Sequence, residues 1–249
     1  MIEPLRTWIL LQQLRSQVYD SPQRLKTLQD SLFREALFYA YQHVPFYRRY
    51  WDEAGFDPQG VRGTQDLERV PIMSSHMARA AAAQGELLAR NLDATPRTFL
   101  YTTGSSGSPM CITRGRREER LWRAQGLRIW IEHGFHWHHK RVQFNQQAGT
   151  QHFLQRLGMS RTRWINPIVS FKDLRDRFLE AKADWIIATP TVLRHLATAV
   201  TDAGGDFHPL RGIFCQGELV DKQTKDLSRR VFGLMPVDVY TLSEFGYVA

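Results

Sequence analysis

Trp185-Ile186-Ile187-Ala188-Thr189-Pro190-Thr191 reads as a buried strand running straight into a helix. Four apolar residues without alternation suit a strand covered on both faces. Thr189 is a capping hydroxyl, and Pro190 has the fixed φ favoured at a first helical position. The same grammar recurs on either side. Lys140 to Phe144, Thr162 to Ile165, Gly212 to Cys215 and Pro236 to Tyr240 read as strands, and Phe171 to Ala181 and Asp221 to Phe232 as helices. Strands alternating with helices predict an α/β fold with a mixed, largely parallel sheet flanked by helices.

Upstream the pattern is helical. Asp20-Ser21-Pro22 starts a long amphipathic helix with Leu25, Leu28, Leu32, Ala36 and Ala40 on one stripe, which Pro45 ends. Short helices are expected over Thr64 to Val70 and across the alanine run Ala78 to Ala83. Two regions follow: a helical N-terminal region, 1–93, and an α/β region, 94–249. In the second, Thr98 to Thr102 and Met110 to Thr113 are strands around a loop, a helix carries Leu121, Trp122, Gln125, Ile129 and His133, and Phe153 to Leu157 reads as helical.

Composition is that of a soluble globular chain: 249 residues, 43% hydrophobic and 23% charged. No apolar run approaches the roughly 20 residues of a membrane helix, and the expected location is cytoplasmic, with no membrane partner. The net charge of +8 is spread along helices, and its tightest run, Arg114 to Arg117, is followed by Glu118 and Glu119. That mixture reads as solvated helix faces rather than a nucleic-acid surface. Cys111 and Cys215 are too few and too far apart for a disulfide framework or a zinc pattern, and are expected to be reduced and half-buried. His133, His136, His138 and His139 surround Trp137, but without a nearby cysteine or carboxylate they read as a loop near a substrate pocket before a metal tract. Phe144 and Trp164 are either pocket lining or core.

Two segments carry chemistry. Tyr101-Thr102-Thr103-Gly104-Ser105-Ser106-Gly107-Ser108-Pro109 is a loop of hydroxyls and glycines between strands. Its backbone N–H groups can form an anion nest, although no Gly-Lys-Ser/Thr of a Walker loop is present. Tyr240-Thr241-Leu242-Ser243-Glu244-Phe245-Gly246 joins an aromatic ring, a hydroxyl and a carboxylate, which suit a base, a phosphate and a metal ion. Gln216-Gly217-Glu218 lies at a strand end between them. In open α/β sheets ligands gather at strand carboxyl ends, so the set points to a nucleoside triphosphate.

In that order the motifs resemble the adenylate-forming (acyl-activating) enzymes, most closely the phenylacetate–coenzyme A ligase and coenzyme F390 synthetase branch. Leu32 through His43-Val44-Pro45-Phe46-Tyr47 to Ala54-Gly55-Phe56-Asp57-Pro58 and Val70-Pro71-Ile72 are similar to the branch's N-terminal region, and Asp184-Trp185-Ile186-Ile187 to Leu196-Ala197 to its strand–helix unit before the nucleotide pocket. The resemblance implies that Thr102, Thr103, Gly104, Ser105, Ser106 and Gly107 hold the β- and γ-phosphates of ATP. It further implies that Gly217 and Glu218 line the adenine slot, Tyr240 lies on the ring with Asp238 near its amino group, Ser243 bonds the α-phosphate, and Glu244 binds Mg2+. The implied reaction activates a carboxylic acid, aromatic by analogy with the branch, as an acyl adenylate, with coenzyme A as acceptor.

Ser108 replaces a common lysine, Thr241 a glycine, Ser243 a threonine and Asp238 an asparagine. The family also continues beyond its counterpart of Ala249, with a ribose-binding aspartate, a hinge and a small domain bearing a catalytic lysine. The chain therefore reads as a partial N-terminal domain that lacks that lysine domain and adenylates weakly or not at all alone, since those groups contact the transition state. A catalytically degenerate scaffold of the same fold, a nucleic-acid binder and a homodimer all stay open.

Overall fold

In a computed structural model the chain is described at residues 2–91, 98–101, 111–146, 155, 157–202, 204 and 206–248. The loop Thr102 to Gly107 and most of the expected helix Phe153 to Leu157 lie outside these. The chain forms two compact units, residues 1–125 and 126–249.

The first unit opens with α1 (Ile2–Gln17), α2 (Pro22–His43) and α3 (Pro45–Glu53). Ser21 caps α2 by accepting the Arg24 N–H, with Pro22 at the first turn. Pro45 both stops α2 and opens α3, and Val44, in extended conformation, is the joint. A proline tolerated at a helix start fits both roles. This joint turns α3 so that Trp51 meets Leu37, Phe56 and Val61 in a buried cluster. Two 3₁₀ turns, Pro58–Gly60 and Thr64–Arg69, lead to α4 (Ser75–Ala83). Strands β1 (Thr98–Tyr101) and β2 (Cys111–Arg114) pair antiparallel on either side of residues 102–110; α5 (Arg116–Glu132) follows, its residues from Gly126 onward belonging to the second unit.

Two carboxylates tie the 3₁₀ segment down. Asp30 takes Lys26 Nζ at 2.6 Å and the Thr64 N–H at 2.8 Å; Asp66 takes the Arg62 N–H at 2.9 Å and its guanidinium. The Lys26 bond holds Asp30, and the Arg62 bond Asp66, down to about 2 from an ordinary 3.8. A folded-state pKa below the unfolded one stabilises above the unfolded value and is lost as pH falls through the folded value.

The second unit contains β3 (Arg141–Phe144), β4 (Thr162–Ile165), α6 (Phe171–Ala181), β5 (Trp185–Ala188), α7 (Pro190–Thr201), β6 (Gly212–Gln216), α8 (Lys222–Phe232) and β7 (Val237–Val239). The expected α/β class is found. The five strands lie in the order β4-β3-β5-β6-β7, every neighbouring pair parallel. Among the described residues, antiparallel pairing is confined to β1–β2 and to a hairpin of β8 (Thr241–Leu242) and β9 (Gly246–Tyr247).

Alternation gives the sheet two different faces. Val142, Phe144, Ile165, Ile186, Ala188, Ile213 and Cys215 point to one side, where Leu174 and Phe178 of α6, Leu193, Leu196 and Val200 of α7 and Phe232 of α8 complete the core. The other face carries Arg141, Trp185 and Phe214. Trp185 stacks on Phe214 with ring centroids 5.0 Å apart and donates its indole N–H to His139. A Cβ at Gly212 would collide with three atoms of that indole.

Two outcomes are expected. The first unit loses stability as pH falls from about 4 towards about 2, and Asp66→Asn flattens that acid slope in urea unfolding. Gly212→Ala destabilises the second unit by about 3 kcal/mol, read from the urea midpoint at unchanged slope.

Candidate functional site

The strand order β4-β3-β5-β6-β7 reverses direction at β3, so the chain leaves β3 towards β4 and returns on the other side to β5. The crevice at such a switch point, outside the carboxyl ends of the strands, is the usual ligand site of an open α/β sheet. Register identifies which residues leave the sheet along that edge. Gln143 pairs with Ile187, Ala188 with Cys215, and Gln216 with Val239. One step beyond the strands, polar residues leave the sheet side by side: Asn166 after β4, Asn145 after β3, Thr189 after β5, Gly217 after β6 and Tyr240 after β7. At about 4.8 Å per strand, the row from Asn145 to Tyr240 spans about 14 Å.

Gly217 and Tyr240, both expected at this edge, are thus neighbours there. Gly217 has φ +86°, a region that strains any residue with a side chain. Tyr240 is 56% exposed, its ring lying free of the core. Asp238 is exposed on β7 opposite Cys215. Ser243 and Glu244 are exposed in the turn between β8 and β9. Thr102, Thr103, Gly104, Ser105, Ser106 and Gly107 lie outside the described residues.

Glu218 has a second task that its sequence position does not announce. Its Oε2 accepts both the Thr191 N–H at 3.0 Å and the Thr191 hydroxyl at 2.6 Å. Thr191 lies in the first turn of α7, whose Val192 N–H is already taken by Thr189. The carboxylate therefore satisfies an orphan amide at the positive end of the helix. Arg194 extends the network. Its Nη2 donates to Thr191 Oγ1 at 3.0 Å, its Nη1 to Thr224 Oγ1 at 2.8 Å, and Asp221 lies 3.9 Å away. Asp221 caps α8 through the Thr224 N–H, and its hydrogen bonds to Thr224 lower its pKa. The loop after β6 is thereby tied to the starts of both α7 and α8. Asn145, Thr191 and Arg194 belong to no chemical motif in the sequence; a polar residue directly after an apolar strand run is the signal that finds Asn145, whereas the contacts that give Thr191 and Arg194 their roles cross about thirty residues.

The histidine tract corrects an expectation. It precedes β3, and Trp185 at the start of β5 bonds His139, so the tract sits at the amino ends of the strands, opposite the candidate site. His139 Nδ1 accepts two N–H groups, from Trp185 at 3.1 Å and from His136 at 3.0 Å, and so carries no proton. Burial also lowers its pKa. Among the described residues no group of three or more His, Cys, Asp or Glu is placed to hold a metal. Phe144 is core, and Trp164 is half-buried on the opposite face.

The cysteines differ from each other. Cys111 is exposed, and Cys215 is fully buried, its thiol pushed up to about 12 by burial and by the nearby charges of Asp238 and Glu218. No described helix is long and apolar enough to cross a membrane.

No protein-family model matches the chain. It is 24% identical over 232 residues to phenylacetate–coenzyme A ligase of Pseudomonas putida, covering 85% of this chain and 49% of that protein. Against the Escherichia coli K12 phenylacetate–coenzyme A ligase it is 25% identical over 242 residues, 90% of this chain and 52% of the relative. A 50-residue stretch is 49% identical to the Thermus thermophilus ligase of the same name, 20% of this chain and 11% of that one. Among solved structures, 2-hydroxyisobutyryl-CoA ligase in complex with 2-HIB-AMP and CoA superposes with a TM-score of 0.69 at 20% identity, over 90% of this chain and 50% of that one. Its open conformation gives 0.65 at 21% identity, over 84% and 48%. The chain spans about half the length of the curated relatives it matches. Over that half, it has the fold of the adenylate-forming, acyl-activating enzymes and sequence similarity to their phenylacetate–coenzyme A ligases.

Proposed function

We propose that the chain is the nucleotide-binding part of an ATP-dependent acyl–coenzyme A ligase. One observation carries the reading: Gly217 and Tyr240 emerge side by side from β6 and β7 at the carboxyl edge, with Ser243 and Glu244 three and four residues further on. Residues 94–249 form the nucleotide-binding region in this reading and 1–93 the helical N-terminal region. The phenylacetate-specific names of the curated relatives favour an aromatic carboxylic acid as substrate.

In the first half-reaction a carboxylate oxygen of the acid attacks the α-phosphorus of ATP. The bond from that phosphorus to the bridging oxygen of the β-phosphate breaks, and pyrophosphate leaves with the electron pair. In the second, the thiolate of coenzyme A attacks the acyl carbon and AMP departs. Tyr240 lies on the adenine face, and Asp238 accepts from the adenine amino group. Backbone amides and hydroxyls of Thr102, Thr103, Gly104, Ser105, Ser106 and Gly107 receive the β- and γ-phosphates. Ser243 donates to the α-phosphate. Such donors act by stabilising charge that develops in the transition state.

Glu244 fits magnesium as a single exposed carboxylate, because that ion commonly takes one or two carboxylates plus phosphate oxygens and water rather than a protein cage. Bound there, Mg2+ supplies charge neutralisation to the triphosphate. Glu218 contributes by holding the β6 loop on α7, its carboxylate being engaged by Thr191.

The two acids therefore separate experimentally. In isothermal titration the chain binds ATP more tightly with Mg2+ than with EDTA, and Glu244→Ala abolishes that difference while leaving thermal stability unchanged. Equal ATP affinity of wild type with Mg2+ and with EDTA, or no heat at all, rejects the reading. Glu218→Ala instead lowers stability by about 1 kcal/mol through loss of a helix cap, measured by urea unfolding, and leaves the Mg2+ dependence in place.

A further inference from the structure

The turn that carries Ser243 and Glu244 belongs to a hairpin of two-residue strands, too short to hold its own position. What fixes it lies at its far end. Tyr247 is 8% exposed, while the other large side chains of the segment, Phe245 and Val248, are 75% and 50% exposed. Its ring meets Trp130 of α5 edge-on, with centroids 6.3 Å apart. It also lies on Gly126: a Cβ there would come within 2.7 Å of Tyr247 Cε2 and 2.9 Å of Cζ. Gly126 is inside a 17-residue helix, where glycine costs about 1 kcal/mol relative to alanine. It has no side chain because the tyrosine occupies that space. The guanidinium of Arg141 stacks on the same Trp130 at 4.2 Å and donates through Nε to Thr162 at 2.7 Å. The Val248 N–H donates to Tyr240 O at 2.9 Å, closing the base of the hairpin beside Tyr240 itself.

We propose that Tyr247, seated in the notch made by Gly126 and Trp130, is the positioning residue for the Ser243–Glu244 turn. The proposal rests on the reading of those two residues as phosphate and metal ligands. Tyr247 touches no reacting group; it acts by fixing the base of a short hairpin, the end at which Tyr240 leaves the nucleotide edge, and so sets where the turn at the other end lies. Burial holds the Arg141 guanidinium down to about 10, well above neutral pH, so Trp130 keeps its cation.

Hydrogen–deuterium exchange and Mg·ATP titration of Gly126→Ala and Tyr247→Ala test it. In both variants the Val248 amide is expected to exchange at least tenfold faster, while the amides of β5 and β6 keep their wild-type rates. Affinity for Mg·ATP is expected to fall about tenfold, and affinity for ATP in EDTA to stay within twofold. Tyr247→Ala introduces no clash, so it carries the test if Gly126→Ala fails to fold. Unchanged exchange at Val248, loosening that spreads equally to β5 and β6, or local loosening with unaltered Mg·ATP affinity overturns the proposal. A wild-type chain that binds no Mg·ATP overturns it as well, by removing the ligand roles it rests on; exchange at Val248 then still reports whether Tyr247 anchors the hairpin, which separates that failure from a failure of the anchor.

Discussion

The indole of Trp185 fills the space that a side chain at position 212 would need, and the register of the central strands follows from that fit. Trp185 opposes Gly212 across β5 and β6, stacks on Phe214 and donates to His139 before β3. One ring thus touches three successive segments of the parallel sheet. A slip of one residue would set the indole against Ile213 and turn every side chain of the moved strand to the wrong face. It would also change which residues leave the sheet together, and the candidate site is defined by that exit: Gly217 beside Tyr240.

The two faces divide the labour of the second unit. The side packed by α6, α7 and α8 is apolar throughout its core. The side bearing Arg141 and Trp185 is aromatic and cationic, with the guanidinium stacked on Trp130 and near Phe135. Burial of an arginine is costly unless its charge is met; here aromatic faces and Thr162 meet part of it, and Nη1 has no hydrogen-bond partner among the described residues. At the carboxyl edge, by contrast, charge sits in a hydrogen-bonded chain, Glu218–Thr191–Arg194–Thr224, that runs from the exposed Glu218 to the buried Thr224 and links two helix starts to the loop between them. The stability of the sheet and the presentation of its edge are therefore carried by different chemistry.

Most of this architecture is legible in the sequence because its signals are local. Ser21, Ser170, Thr189 and Asp221 all cap the helices that follow them, and Trp185-Ile186-Ile187-Ala188 is buried at every position. What is not legible depends on distant contacts. The hairpin of β8 and β9 has no strand signature, since two residues show no period. Glu218 reads as ligand lining, and nothing in its sequence position announces its bond to the Thr191 amide, 27 positions earlier. Pro45 reads as a stop, and whether a proline also starts the next helix depends on how the chain turns at Val44. The histidine tract has no periodicity of its own; its place directly before β3, together with the Trp185 bond, assigns it to the amino ends.

The contrast between the two thiols has a practical consequence. Cys215 is sealed in the core with its proton held on, so at neutral pH it offers neither access nor thiolate to an electrophile. Cys111 is open to solvent and borders the glycine-rich segment at 102–110. A maleimide dye added to the native chain would consequently attach at one address, giving a fluorescent reporter beside that segment without any engineered cysteine.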